Sequence, residues 1–373
     1  MRILVLNPIL FTPDNGRIPE VKSIRDTLMH NMCCGFLSLG HDVTLAAASP
    51  YRPTQDETYD FDVRFFDTCG GSSLDQYLPF SPSMARYIWR TRHDYDMILS
   101  SEAFQFHTLW AAIAAMRKTL CWHESSYMPH RFHKLPARFW YNVITPLSPL
   151  RRMLAVGRSR AARAFISRYM SNTAMQYVEH GIDINKFPVA SKKEKQFIVV
   201  SQLIPRKNIG SILRKFARFN ELHPAYRLII AGRGPEEENL RRLSAELDIA
   251  DRVEWAGFLP HERLAPLMAS SQAMLIDTLR DLNMVSIPES IVAGTPVITN
   301  TVPSTDIVDK EGTGVKRDGW NADDMWRVAT DPSFAKNCLR MRDILSVRQS
   351  AQSLIEIFLQ WREGTLPLYE GDY

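Results

Sequence analysis

The chain has 373 residues, more than one ordinary core holds, and its length fits two domains of roughly 150 to 200 residues each. At 45% apolar and 23% charged it has the composition of a soluble globular protein, which excludes disordered, fibrous and membrane-spanning classes. The net charge of +4 is mild, but no Asp or Glu occurs from Ser125 to Val178, a stretch that carries nine Arg or Lys.

The opening MRILVLNPILF, interrupted by Asn7 and Pro8, predicts a first strand rather than a signal peptide. Val21, Ile24, Leu28, Met32, Phe36 and Leu39 then recur at spacings of three and four, the face of a helix, and Gly40 suits its C-terminal cap. DVTLAAA, DMILSSE and TLCWHES continue as strands. After the polar run SKKEK (191–195), read as a linker, a second set follows: QFIVVSQL, a helix from about Ile209, YRLIIAG, a Glu- and Arg-rich helix, RVEWAGF, AMLIDT and PVITN. Strands alternating with helices imply parallel sheets covered on both faces. The expectation is α/β, with two Rossmann-like doubly wound parallel-sheet domains facing across a cleft. Their predicted bounds are 1–190 and 191–345, with 346–373 a helix and tail that return to the N-terminal domain. Ligands of such sheets bind at the carboxyl ends of the strands. No run of about 18 apolar residues predicts a membrane-spanning helix. Cys33, Cys34, Cys69, Cys121 and Cys338 are odd in number and lack metal-ligand spacing, so reduced cytosolic thiols are expected.

The stretch DLNMVSIPESIVAGTPVIT (281–299) places two acids, Asp281 and Glu289, around a helix start near Ile287 or Pro288. Free N–H groups there suit a diphosphate. Glu289 could take the vicinal hydroxyls of a ribose and Asp281 those of a second sugar; equally, Glu289 could simply complement the helix dipole. Arg206 and Lys207, in the loop after QFIVVSQL, could neutralise a diphosphate, or could be a solvated basic pair. AGRGPEEENL is not a G-x-G-x-x-G motif, and its three glutamates would repel phosphate, which argues against a nicotinamide or flavin enzyme.

Five segments in order give the chain its resemblance. VEHGIDINKF is similar to "pnGvD…F", VSQLIPRKN to "GRL…KG" and AGRGPEEENL to "GxGP…L"; WAGFLPHERLAPLMASSQAMLIDT and DLNMVSIPESIVAGTPVIT are similar to the Glu-x7-Glu signature and the stretch before it. The chain resembles the retaining GT-B-fold glycosyltransferases of family 4, the group 1 glycosyltransferases, most strongly over residues 176–318. The resemblance implies that Glu289 binds the nucleotide ribose, Asp281 faces the donor-sugar hydroxyls and Lys207 contacts the donor diphosphate. It implies that the backbone of Asn283, Met284 and Val285 meets phosphates or sugar, and that Phe258 and Leu259 meet the base. His123 falls near the transferred sugar, and Asn15 and Gly16 beside the phosphates. Gln202 stands where the family usually has arginine, with Arg206 the candidate replacement, and Asp281 is one methylene shorter than the usual Glu.

The resemblance further implies a hexosyltransferase that needs neither cofactor nor metal. It would move a sugar with retention from a UDP- or GDP-sugar to a glycan or polyprenyl-linked acceptor in surface-polysaccharide biosynthesis. The strings Asp60-Phe-Asp62 and Asp94-Tyr-Asp96 read as strand-associated acids rather than metal ligands. The basic, acid-free stretch, interleaved with aromatics, suits peripheral contact with an anionic membrane at the cytoplasmic inner face; no motif accompanies it that would point to nucleic acid. The alternatives are a nucleotide-sugar epimerase or phosphorylase on the same fold, or an inactive nucleotide-sugar-binding scaffold subunit.

Overall fold

Short apolar runs alternating with amphipathic stretches build two parallel sheets. In the computed structural model, which describes residues 1–11, 18–126, 135–281, 284–302 and 305–371, the chain divides into a first unit of Met1–Gly181 with Val347–Tyr373 and a second of Ile182–Ser346.

The first unit holds β1 (Arg2–Leu6), β2 (Asp42–Ala48), β3 (Asp62–Phe66), β4 (Met97–Ser101), β5 (Thr119–His123), β6 (Leu154–Gly157) and β7 (Asn172–Thr173). Their order is β3-β2-β1-β4-β5-β6-β7, and every pairing is parallel. β4, β5 and β6 are buried along their whole length, as strands covered on both faces must be. The order reverses between β1 and β4, whose register runs from Ile3 opposite Met97 to Leu6 opposite Ser100.

The helix Leu28–Ser38 follows the predicted periodicity; Thr27 caps it by accepting from His30 N at 3.2 Å. The helix Val347–Glu363 lies across it. A Cβ on Gly35 would stand 2.6 Å from Val347 O, so only glycine permits that approach. Ala351, Leu354, Ile355, Ile357 and Phe358 join the same core as β1, β2 and β4. The tail then runs back along the sheet edge: Met175 N donates to Pro367 O at 2.9 Å and Tyr369 N to Thr173 O at 2.8 Å, covering the otherwise unpaired side of β7.

The second unit holds β8 (Gln196–Val200), β9 (Arg227–Ala231), β10 (Val253–Gly257), β11 (Ala273–Leu275), β12 (Val297–Thr299) and β13 (Gly314–Lys316), in the order β10-β9-β8-β11-β12-β13. The pairings are again parallel, and the reversal falls between β8 and β11. The helix Ile209–Leu222 buries Ile209, Ile212, Leu213, Phe216 and Phe219 on one stripe.

The division between the units falls at Gly181/Ile182, earlier than the predicted 190/191, and SKKEK is no linker. Lys193 is drawn inward, its ammonium donating to Ala269 O at 2.7 Å and Thr295 Oγ1 at 2.6 Å, and burial pushes it down to about 8. Ile182 N donates to Leu345 O at 2.9 Å, and Arg342 binds Phe187 O at 2.7 Å, so residues 182–195 are tied into the second unit.

Because the returning helix completes the first core, Phe358→Ala is expected to destabilise the first unit by about 3–5 kcal/mol. Urea unfolding checks this, as a fall in the transition midpoint at unchanged slope.

Candidate functional site

Each sheet presents polar side chains at its reversal, where neighbouring crossovers leave to opposite faces and open a crevice. In the second unit the loop after β8 supplies Arg206 and Lys207, and the loop after β11 supplies Asp281. Asp281 Oδ2 lies 3.3 Å from Arg206 Nη1 and also accepts from Lys207 Nζ. Two cations against one carboxylate leave one net positive charge. The two loops are also tied by backbone: Leu279 N donates to Arg206 O at 2.8 Å, Thr278 Oγ1 to the same oxygen at 3.0 Å, and Arg206 Nη1 to Arg280 O at 3.1 Å. Asn208 adopts a left-handed conformation with φ of 51°, turning the chain from this loop into the next helix.

The helix start beyond Asp281 differs from the expectation. The helix is Ser286–Val292, and the N–H groups of Ile287 and Glu289 already donate to Met284 O at 3.0 Å and Val285 O at 3.2 Å. Those two donors are therefore not free for a diphosphate, and the charge burden moves to the Arg206 and Lys207 side chains. Glu289 sits in the first turn, 3.2 Å from His261 Nε2. His261 opens the helix His261–Ser270, and its ring stands edge-on to Phe187. Phe258, 71% exposed, and buried Leu259 follow β10; Met284 is buried and Val285 half-buried. Gln202 is exposed beside buried Leu203. Asn15, Gly16 and Asn283 lie outside the described residues.

The two glycines of AGRGPE serve packing. A Cβ on Gly232 would stand 1.7 Å from Ser201 O, and one on Gly234 2.2 Å from Leu203 O. Leu203 N donates to Arg233 O, and Glu236 N to Leu203 O, each at 3.0 Å, so this loop buttresses the segment that carries Gln202 and Arg206.

His123 lies in the first unit, at the end of β5, fully buried and stacked on Phe165 at 5.8 Å. Two groups compete for its Nδ1. Ala103 N–H at 3.3 Å requires a bare nitrogen, and Glu102 Oε2 at 3.2 Å a protonated one. Burial holds the ring neutral, its pKa below the ordinary histidine value despite the Glu102 charge, and a neutral ring carries its single proton on one nitrogen or the other. Glu102 is itself committed, accepting from Glu124 N at 2.6 Å and Ser125 Oγ at 2.8 Å. Its φ of 61° is a left-handed conformation that non-glycine residues seldom hold.

Around it stand residues that the sequence pattern did not place at a site. Arg158, one of the nine cations of the acid-free stretch, is buried; its guanidinium lies 4.1 Å over the Trp122 ring, and Nη1 pairs with Glu124 Oε2 at 2.8 Å. His180 is buried 3.8 Å from the same carboxylate oxygen. His107 Nε2 bonds Ser101 O at 3.0 Å, and burial pushes His107 down to about 3. A cavity of about 240 Å³ opens among Asn7, Ser101, Glu102, His107, Glu124 and Arg158, at the carboxyl ends of β1, β4, β5 and β6. The signal was available: Glu102 and Glu124 each directly follow a wholly buried strand, where polar residues face ligand rather than core.

Neither Asp-x-Asp string forms a cluster. Asp62 Oδ2 pairs with Arg64 Nε at 2.6 Å, and Asp96 Oδ2 accepts from Arg2 N at 2.8 Å. Among the described residues no group of three or more His, Cys, Asp or Glu is placed to hold a metal ion, and no helix is long and apolar enough to cross a membrane.

Comparison with known proteins follows the same architecture. A crystal structure of Anabaena Alr3699/HepE in complex with UDP matches 95% of this chain and 99% of that one, with a TM-score of 0.65 at 16% identity. The chain has the GT-B fold. Within that fold, residues 182–326 match the family model described as glycosyl transferases group 1. That segment contains the Arg206–Lys207–Asp281 cluster and the His261–Glu289 pair. Among curated proteins, the phosphatidylinositol N-acetylglucosaminyltransferase gpi3 subunit of Schizosaccharomyces pombe is 29% identical over 118 residues, 31% of this chain and 26% of that protein. The GDP-mannose-dependent alpha-(1-6)-phosphatidylinositol monomannoside mannosyltransferase of Mycolicibacterium smegmatis is 28% identical over 189 residues, 44% of this chain and 49% of that protein. The chain thus spans less than half the length of either relative.

His107, His123 and His180 are all held neutral by burial, with folded pKa values below the unfolded value near 6.5. Below that pH the unfolded chain binds more protons, so stability is full above about pH 6.5 and falls as pH drops toward the folded values. The expected slope approaches about 1.4 kcal/mol per pH unit for each histidine. Urea midpoints at pH 7.5, 6.5 and 5.5 measure it, and His107→Gln should flatten the slope by one proton.

Proposed function

We propose that this protein is a metal-independent glycosyltransferase that moves a hexosyl group, with retention, from a UDP- or GDP-sugar to an acceptor hydroxyl. The observation that carries the reading is the Arg206–Lys207–Asp281 cluster at the strand reversal of the second unit, inside the segment that matches the family model. A nucleotide diphosphate brings the negative charge that the two cations would accept. Its arrival would compete Asp281 off Lys207 and Arg206, leaving that carboxylate to accept hydroxyls of the donor sugar. Glu289, held by His261, would take the ribose diol, and exposed Phe258 would lie against the base.

In the proposed step the acceptor oxygen bonds to the anomeric carbon on the face that the diphosphate leaves. The bond from that carbon to the phosphate oxygen breaks, and the acceptor proton passes to the departing phosphate. No protein nucleophile is needed. The protein contributes positioning and stabilisation of the leaving charge, with Lys207 and Arg206 supplying the latter.

The acceptor proposed is a glycan or polyprenyl-linked sugar at the inner face of the cytoplasmic membrane, used in surface-polysaccharide assembly. Both curated relatives above have phosphatidylinositol in their names. Support in this chain comes from exposed Leu135, Phe139 and Leu147, which share one stretch of sequence with exposed Arg138, Arg151 and Arg152. Arginines beside exposed apolar side chains suit an anionic lipid surface, at about 1 kcal/mol per cation.

Nucleotide release from a panel of UDP-, GDP- and ADP-sugars, with and without polyprenyl-linked acceptor, tests the reaction. One donor should be turned over, and Lys207→Ala and Glu289→Ala should each lower kcat/KM by roughly 100- to 1,000-fold, the scale of losing one preorganised electrostatic contact. Donor binding without release under every acceptor condition would favour the scaffold alternative instead.

Vesicle flotation tests the membrane contact. The chain should float with vesicles containing anionic lipid at moderate salt and remain behind with neutral ones, and Arg151→Glu with Arg152→Glu should abolish flotation.

A further inference from the structure

The cavity of the first unit has an unbalanced set of donors and acceptors. At about 240 Å³ it is below the size of ordinary drug-scale pockets, room for one small ring rather than an extended chain. Its lining is rich in acceptors. Glu102 and Glu124 contribute carboxylates. His107, almost fully buried, commits Nε2 to Ser101 O, and its Nδ1 has no partner among the described residues. Held neutral by burial, it offers that nitrogen as an acceptor. Gln105 donates its amide to Tyr77 O at 2.8 Å, and its Oε1 has no partner among the described residues either.

The donors are few. Among the described residues, the one cation in the lining is Arg158, already stacked on Trp122 and paired with Glu124 at 2.8 Å. Two carboxylates against one guanidinium leave the described part of the lining with one net negative charge. Glu102 is fixed in advance by Glu124 N–H and the Ser125 hydroxyl, in a backbone conformation that non-glycine residues seldom hold.

We propose that this cavity binds a small amine-bearing polyol, an amino sugar in its ammonium form, and excludes phosphate- and carboxylate-bearing rings. An ammonium offers three donors and no acceptor, the complement of Glu102, His107 and Gln105. Ring hydroxyls can fill the remaining acceptors. An anion would meet two carboxylates and a guanidinium already engaged. The cavity lies wholly in the first unit, and its chemistry holds whether or not the chain transfers sugar.

The test uses the full chain without any nucleotide, so it stands apart from the nucleotide-release assay. Binding of D-glucosamine, D-glucose and D-glucose 6-phosphate is followed by saturation-transfer NMR and titration calorimetry at pH 7. Glucosamine should bind at least fivefold more tightly than glucose, with no signal from the sugar phosphate. Glu102→Gln should bring glucosamine down to the level of glucose. Glu124→Gln, at a half-exposed position, releases Arg158 and should weaken the amine while letting the sugar phosphate bind. The proposal is overturned if the phosphate binds the wild type as well as the amine does, if none of the three binds, or if both variants, shown folded by circular dichroism, keep the amine preference.

Discussion

A parallel strand buried on both faces can carry polar side chains only at its ends, and that constraint organises this chain. β4, β5 and β6 admit no exposed position along their length, so the chemistry of the first unit collects where they stop: Glu102 after β4, His123 and Glu124 at the end of β5, Arg158 after β6. The same holds in the second unit, where the loops after β8 and β11 bring Arg206, Lys207 and Asp281 together across 74 or 75 positions of sequence. Strand order does the rest. Each sheet reverses once, and at that point adjacent crossovers diverge and leave a crevice.

The fold was therefore readable in advance, because buried parallel strands leave a plain trace of apolar runs separated by helical periodicity. RILVLNP, QFIVVSQL and YRLIIAG could be read as strands from their residues alone. Arg206, Lys207 and Asp281 could also be singled out, since they lie on segments of recognisable pattern, but their pairing with one another could not. Three features were not legible. SKKEK looked like a linker because its charge is local, whereas the anchoring of Lys193 depends on Ala269 and Thr295, some 75 and 100 positions away. Arg158 was grouped with surface cations, since nothing near it in sequence announces Trp122 and Glu124 as its partners. The helix start, read near Ile287 or Pro288, looked like open N–H groups, but the helix begins at Ser286 and the N–H groups of Ile287 and Glu289 are satisfied by Met284 O and Val285 O.

These differences share one physical cause. Sequence pattern reports burial period well and polar pairing poorly, because a buried charge is tolerated only with a partner, and the partner arrives from another element. His123 illustrates the point. Its place at a strand end was legible, but its neutral state follows from burial outweighing the Glu102 charge, neither of which its own neighbours in sequence reveal.

The departures of the second unit from the pattern it resembles also make sense as one charge arrangement. Gln202 brings no cation to the loop after β8, yet Arg206 lies in the same loop and reaches the same carboxylate as Lys207. A shorter acid at 281 keeps that carboxylate close to its own loop, where both cations can reach it. The result is a cluster with one net positive charge by itself, which rises to two when something draws Asp281 away. A diphosphate with an attached sugar can do both halves of that exchange, its phosphates taking the cations and its hydroxyls taking the carboxylate. A bare phosphate offers Asp281 only its own P–OH, borne by the same group that must take the cations, and so competes with it outright. On this reading the Asp281 pairing is a specificity device: it favours ligands that bring charge and hydroxyls together.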